Sequence, residues 1–569
     1  MTPPATTITS RRPELVAEGF ATEPSPRWIG PATSADHKVL GLGMITGAFG
    51  FLFVAVVELL LMRLQLAIPE NTFLAPQVFD RLLSLYGETA IFFFALPLAV
   101  GFFHYLVPLQ IGARVTALPR LGQTGFWLWA VGGAVLYISL VYTPPETGVN
   151  PLPPLSDIAF TQNNGPDVWL TSAGLATLGM VFISIDLIAT LRTMRAPGMA
   201  WRRMPVFTWA AAISSWLLLV IGPVMLAAIT MLMIDRNLSG VFFDAGAGGA
   251  PLLWEHLSWI FYTGAYMLIL IFALGALAEI VPAFARRPLF HRQTVIRALA
   301  AVAVIGTLAW MQNMLSAPIG IGWKYFAMLA SLALIVPFGL ILLNLIGTMI
   351  GGTLRIRAPL LFGLGAISLI TIGLASEIGH SMVAVAWQLR NTTDSTAATH
   401  YALVGGGVFG GFAALHYWYP KLTGRTMGES LARISFWTMF AGINIAFFPL
   451  FLAGLEGQVI DAYKFFDGTG VNAYNLIATI GTFILAIGIV MNLVNAILSR
   501  HAGPVALPDQ WGGESLEWFA SSPPPAHNFD VLPDVRSHQP LRDIRDSVAR
   551  RTADGGRRER AGEPVASER

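Results

Sequence analysis

The sequence predicts an all-α integral membrane protein with twelve transmembrane helices. Two observations carry that class. The 569-residue chain is 54% hydrophobic and only 12% charged, at a mean hydropathy of +0.62, whereas soluble domains are about a quarter charged. Its apolar residues also come in long continuous runs, each of the ~20 or more residues that cross a bilayer as a helix. The charge is left to the two ends and to short connecting loops. Continuous runs favour helices over a β-barrel, whose strands alternate in polarity.

Taken in order, the runs are approximately 39–62, 86–110, 123–144, 168–192, 207–234, 254–284, 295–316, 325–350, 359–386, 398–419, 434–454 and 473–498. The loops after even-numbered runs hold Arg114 and Arg120; Arg192, Arg195, Arg202 and Arg203; Arg286, Arg287, Arg292 and Arg297; Arg355 and Arg357; and Lys421, Arg425 and Arg433. Loops after odd-numbered runs hold only Arg81, Arg236, Lys324, Arg390 and Lys464. Basic loops stay on the cytoplasmic side, so both termini are expected there, and the alternation supports an even number of spans. The expected organisation is a cytoplasmic N-terminal segment (1–38), a twelve-helix membrane domain (39–498) and a partly disordered cytoplasmic tail (499–569).

Composition excludes several chemistries. There is no cysteine, hence no disulfide framework, thiolate metal site or Cys-based copper centre. A net charge of +2 says little about partners; no nucleic-acid partner is expected of a polytopic membrane protein. The N-terminal ~35 residues are polar and proline-rich, without the apolar core of a signal peptide. The glycine-rich stretch 405–412 lies inside an apolar run, which reads as close helix packing and not as a phosphate cradle.

Ionisable residues inside the runs are the functional candidates, because a charge at mid-bilayer costs roughly 2.5–3.5 kcal/mol. They are Glu58, Glu88, His104, Asp186, Glu377, His380 and, at the mouth of the tenth run, His400. Glu377 and His380 stand i,i+3 and can touch. Glu88, Glu377 and His380 define a possible polar pathway; self-satisfied polar pairs are the plainer reading.

Several segments, in order and spacing, resemble subunit I of the A-type haem-copper oxidases. They are DHKVLGL from Asp36, LMRLQLA from Leu61, YLVPLQIGAR from Tyr105, MRAPGMAWRRMPVFTW from Met194, and DRN and FFD between Asp235 and Asp244. PAFARRPLF from Pro282, YWYPKLTGR from Tyr417 and LEWFASSPPPAHNFDVLPDVRS from Leu516 complete the set. The resemblance implies the twelve-helix subunit I arrangement, a place in the aerobic respiratory chain, partner subunits like II and III, and a bacterial cytoplasmic membrane. It also implies two haems and a copper ion held by six histidines, with oxygen reduction coupled to proton translocation.

Most of those ligand positions are substituted here. The second-run haem ligand aligns with Tyr86, the copper ligands with Thr263, Gln312 and Asn313, and the proximal haem ligand with Ala398; only His400 remains. The family's cross-linked tyrosine aligns with Met267 and its sixth-run glutamate with Ala265. The proton-uptake aspartate and lysine align with Val115 and Ile341, the propionate arginines with Ile460 and Asp461, and the outer magnesium pair with Arg390 and Asn391. Thr, Gln, Asn and Ala do not replace a copper imidazole set, so copper is not expected. Tyrosinate does ligate haem iron, so Tyr86 and His400 remain candidates to hold one haem. The simpler expectation is that side chains refill the cofactor space and Tyr86 or Glu88 hydrogen-bonds a leftover imidazole. Three functions stay open: a degenerate paralogue serving assembly or structure, a terminal oxidase or haem electron carrier with a divergent Tyr86/His400 site, and a proton or small-solute permease.

Overall fold

The computed structural model describes residues 33–532 and 535–546. The expected N-terminal segment up to residue 32 and the tail from residue 547 lie outside the described residues. Twelve helices among the described residues are long and apolar enough to cross a membrane: α1 (His37–Gln65), α2 (Pro76–Gln110), α3 (Pro119–Val141), α4 (Gly165–Thr193), α5 (Val206–Leu238), α6 (Pro251–Ala285), α7 (Arg292–Met314), α8 (Ile321–Ile350), α9 (Ala358–His380), α10 (Thr393–Thr423), α11 (Glu429–Leu455) and α12 (Asn472–Ala502). The all-helical twelve-span expectation therefore holds. The most enclosed are α2, α6 and α10; α3 and α8 turn most of their residues outward.

Local chemistry sets the helix ends. The Asp36 carboxylate accepts from Lys38 N at 2.9 Å and caps α1. Prolines occupy the first turn of α2, α3, α4, α6 and α9, where a missing N–H breaks no helical bond. Gly424, at φ +76°, closes α10 in a conformation suited to glycine. Two boundaries differ from expectation. α9 stops at His380, and a separate short helix, Val383–Leu389, follows it. α10 starts earlier, behind a Thr392 cap, so His400 sits about two turns inside the helix and not at its mouth.

The glycine stretch is helix packing. A Cβ on Gly405 would lie 2.9 Å from Ile370 N, and one on Gly410 2.7 Å from Ala273 Cβ, so α9 and α6 approach closely there. The same stretch is wound as π-helix over Val404–Phe409, and α2 has a matching π-helical segment over Thr89–Ala95. Each follows within one turn of a candidate ligand, Tyr86 or His400. Such segments are frequent at functional sites.

The described part of the chain after α12 is built into the fold: Leu516, Trp518, Phe529 and Val535 are buried in the main core. This segment locks the ends of the bundle. Glu517 accepts from Gln110 Nε2 (3.0 Å), Ser515 Oγ (2.8 Å) and Trp418 Nε1 (3.3 Å). Lys421 Nζ donates to Ala520 O at 2.6 Å. Asn528 donates to Ala113 O (2.8 Å) and accepts from Lys38 Nζ (2.9 Å). Arg203 reaches Val535 O at 2.9 Å. The segments that carry the resemblance are thus largely the parts that hold one another.

Candidate functional site

Between α1, α2 and α6 to α12 lies a cavity of about 720 Å³. It runs from loop residues Asn150, Asn391 and Asp461 at one end down to Leu270, Val404 and Val408 among the helices, and its lining is mainly apolar. The space was not refilled by larger side chains, which corrects that expectation. The positions singled out in the sequence, Tyr86, Thr263, Gln312, Asn313, Glu377 and His400, all face it.

Tyr86 and His400 are fastened to each other. The Tyr86 hydroxyl lies 2.8 Å from His400 Nε2, and His400 Nδ1 lies 2.7 Å from the Thr396 carbonyl. A carbonyl only accepts, so Nδ1 carries the proton and Nε2 accepts from the tyrosine. Phe447 stacks on the imidazole at 4.4 Å, 18° from parallel. Both ring nitrogens are satisfied. A metal held by both groups would need them roughly 4 Å apart, at about 2 Å per bond. The expected hydrogen bond to the imidazole comes from Tyr86, not from Glu88.

Thr263, Gln312 and Asn313 take part in an amide network. Asn313 Nδ2 donates to Thr263 Oγ1 at 3.0 Å, and the Asn313 carbonyl oxygen accepts from Arg390 Nη2. Gln312 Nε2 donates to Glu377 Oε2 at 3.4 Å, and the Gln312 carbonyl oxygen accepts from Ser331. A bound guanidinium already takes the oxygen that a metal cation would need. At the proximal position Ala398 is buried and offers no donor. No group of three or more His, Asp or Glu side chains able to hold a metal occurs among the described residues. This donor set does not fit a haem iron or a copper ion.

The pathway candidates are not brought together. Glu377 faces the cavity and also accepts from Thr399 Oγ1 at 3.2 Å. His380 is not hydrogen-bonded to Glu377; its Nε2 pairs with Asp394 Oδ1 at 2.5 Å. Glu88 is fully buried away from the cavity lining, with neither carboxylate oxygen hydrogen-bonded. Of the remaining acids, Glu58 accepts from Tyr137 (3.0 Å), whose hydroxyl is 2.6 Å from Thr89 Oγ1. Asp186 is fully buried and holds Leu118 N at 2.7 Å, with His104 Nδ1 4.0 Å away.

Sequence reasoning missed Arg63 and gave Arg390 the wrong part. Both line the cavity. Arg390 counts in the sequence as a topology signal and as a position aligned with the family's outer magnesium pair, but its guanidinium turns inward, where burial lowers its pKa against the pull of Glu377. Arg63 stood in a resemblance motif, so its isolation in an apolar run was the available signal. Asp461, at the cavity mouth, is pushed up to about 6 by desolvation and by Asp80.

Residues 39–484 match the family described as "Cytochrome C and Quinol oxidase polypeptide I". The chain is 35% identical over 513 residues to cytochrome c oxidase subunit 1 of Bacillus subtilis, covering 90% of this chain and 82% of that protein. It is 33% identical to cytochrome c oxidase subunit 1 of Thermostichus vulcanus, over 88% of this chain and 90% of the relative. It is also 33% identical to quinol oxidase subunit 1 of Bacillus spizizenii, over 90% and 79%. In three dimensions it is similar to a chain of a heme-copper terminal oxidase dimer, with TM-score 0.71 and 15% identity, covering 82% of this chain and 85% of that one. That likeness concerns the fold.

Proposed function

The chain belongs to the cytochrome c and quinol oxidase polypeptide I family, and we propose that it is a member without its own oxygen-reducing centre. In this reading it is a multi-pass protein of a bacterial cytoplasmic membrane with both termini inside, and it serves assembly or structure in an aerobic respiratory complex. Partner proteins like oxidase subunits II and III would pack on its outer helix faces.

The observation that carries the reading is the direct Tyr86–His400 hydrogen bond. The one histidine left at a ligand position has both nitrogens engaged and a phenyl ring against its face. The amide network at Thr263, Gln312 and Asn313 supports it, because neutral carboxamides and a hydroxyl bind copper poorly beside imidazole. The interlocked scaffold residues support a retained structural role.

The test is a pyridine-haemochrome spectrum and elemental copper analysis of the purified full-length protein. The expected result is far less than one haem and one copper per chain. Stoichiometric haem would refute the reading. One observation favours a second reading, a haem electron carrier or oxidase with Tyr86 and His400 as divergent ligands: the cavity is still open. That reading requires the two side chains to separate by more than 1 Å, and it is marked by a visible spectrum that changes in Tyr86→Phe.

A further inference from the structure

A basic pocket stands apart from the central cavity and shares no residue with it. It lies at the arginine-rich end of the bundle, where α5 begins at Val206 and α7 at Arg292. Its volume is about 290 Å³, and its lining is Arg202, His291, Arg292, Gln293, Thr294 and His538. Four of these six side chains are basic and none is acidic. They come from three separate segments: the loop before α5, the start of α7, and the chain after α12. The size is near the lower edge of the roughly 300–1,000 Å³ of small-molecule sites.

The two arginines are not neutralised by ion pairs. Among the described residues no carboxylate oxygen lies within 4 Å of the Arg202 or Arg292 guanidinium. Arg292 is fixed by neutral acceptors: Nη1 donates to Arg202 O at 3.2 Å, and Nη2 donates to Met204 O. Partial burial and Arg292 lower the pKa of His538 against the pull of Asp543, so at neutral pH His538 offers an N–H and not a charge. Glu279 and Glu514 line a smaller neighbouring cleft that shares Arg292 and His538. Both acids are engaged there: Glu279 accepts from Phe207 N at 3.2 Å, and Glu514 is held by Gln539 and Arg542. Arg292, Gln293 and Thr294 also form the first turn of α7, where the helix dipole adds to the preference for an anion.

The surroundings point to a lipid and not to a soluble anion. Trp201 and Phe290, next in sequence to Arg202 and His291, are 40% and 43% exposed, and the Phe290 ring lies against His291 with centroids 4.2 Å apart. Exposed aromatic rings are characteristic of the membrane–water interface. Farther along, α5 exposes Trp216 and Val220, and α7 exposes Val304 and Leu308.

We infer that this pocket holds the headgroup phosphate of an anionic phospholipid whose acyl chains lie along α5 and α7. Arg202 and Arg292 supply the two fixed charges. His291, His538, Gln293 and Thr294 supply hydrogen-bond donors around the phosphate oxygens. A zwitterionic headgroup would bring a cation against the same two arginines. Lipid binding here is independent of what the central cavity holds.

The experiment uses delipidated full-length protein in detergent micelles, titrated with dioleoyl phosphatidylglycerol or dioleoyl phosphatidylcholine and read by native mass spectrometry. Phosphatidylglycerol is expected to saturate at about one tightly bound molecule per chain, held at least about tenfold more tightly than phosphatidylcholine. Arg202→Gln with His538→Ala, at two exposed positions, is expected to reduce that preference at least about fivefold. Arg500→Gln, which removes an equal charge in the last turn of α12, is expected to leave it unchanged. Equal affinity for the two lipids would overturn the inference without relying on any variant. A preference that survives Arg202→Gln with His538→Ala would put the lipid elsewhere on the rim and overturn it as well. Displacement of phosphatidylglycerol by millimolar inorganic phosphate would assign the pocket to a soluble anion, which also overturns it.

Discussion

Replacing Tyr86 with Phe removes one hydroxyl from the Tyr86–His400 contact and little else. The bond is 2.8 Å long, and its loss leaves His400 Nε2 without a donor while Nδ1 keeps the Thr396 carbonyl. A buried, dry acceptor left unpaired costs about 1–3 kcal/mol, against about 0.5–1.5 for an ordinary net hydrogen bond. His400 borders a large cavity with polar groups, so water can reach Nε2 and the lower range applies. The expected destabilisation is about 1 kcal/mol, or roughly 1 °C in the thermal midpoint of a chain this size. Fluorescence-monitored unfolding in detergent micelles reads it. A double-mutant cycle with His400→Ala should return a coupling of about 1 kcal/mol. Coupling near zero would mean that the hydrogen bond does not form. A large change in a stoichiometric haem spectrum would mean that Tyr86 is a ligand, and either result refutes the reasoning.

Three other outcomes can be checked in the same preparations. Arg236 is buried and bonds both oxygens of Asp167 (3.0 and 2.9 Å) and the carbonyls of Ser156, Thr161 and Asn163; Arg236→Gln should destabilise by about 3 kcal/mol or more, seen as lost accumulation in the membrane. Glu517→Ala orphans Gln110, Ser515 and Trp418 together and should cost above about 3 kcal/mol, whereas Glu517→Gln, which keeps an acceptor, should cost about 1. Asp461, pushed up to about 6, binds its proton more tightly folded than unfolded. Its contribution is therefore full below about pH 4 and is lost as pH rises through 6. Asp461→Asn should raise the thermal midpoint at pH 7 and leave it unchanged near pH 4.

The membrane fold was legible because each span is a long apolar run and the basic loops alternate. Boundaries failed where capping overrode hydropathy. Thr392 starts α10 before its polar first turn, and hydropathy alone has no reason to place Asp394 and Ser395 in a helix. The cavity-facing residues were legible one at a time, by residue type, but their partners were not. His380 was set beside Glu377 by helix spacing, yet it turns to Asp394 on the next span. Arg390 read as a loop charge because a sequence does not show that a loop folds back over a cavity.

The division between retained scaffold and altered site has a physical basis in the neighbours of each residue. Lys421, Glu517 and Asn528 are buried, and each holds groups from distant parts of the chain. Changing any of them strands several polar groups at once, and such effects are large and not additive. Thr263, Gln312, Asn313 and Tyr86 instead border open space. A side chain there meets only part of a full packing shell, and water can satisfy what it leaves unpaired. Substitution at those positions therefore perturbs the fold little, and a chain can lose a metal-binding set while keeping twelve helices in place.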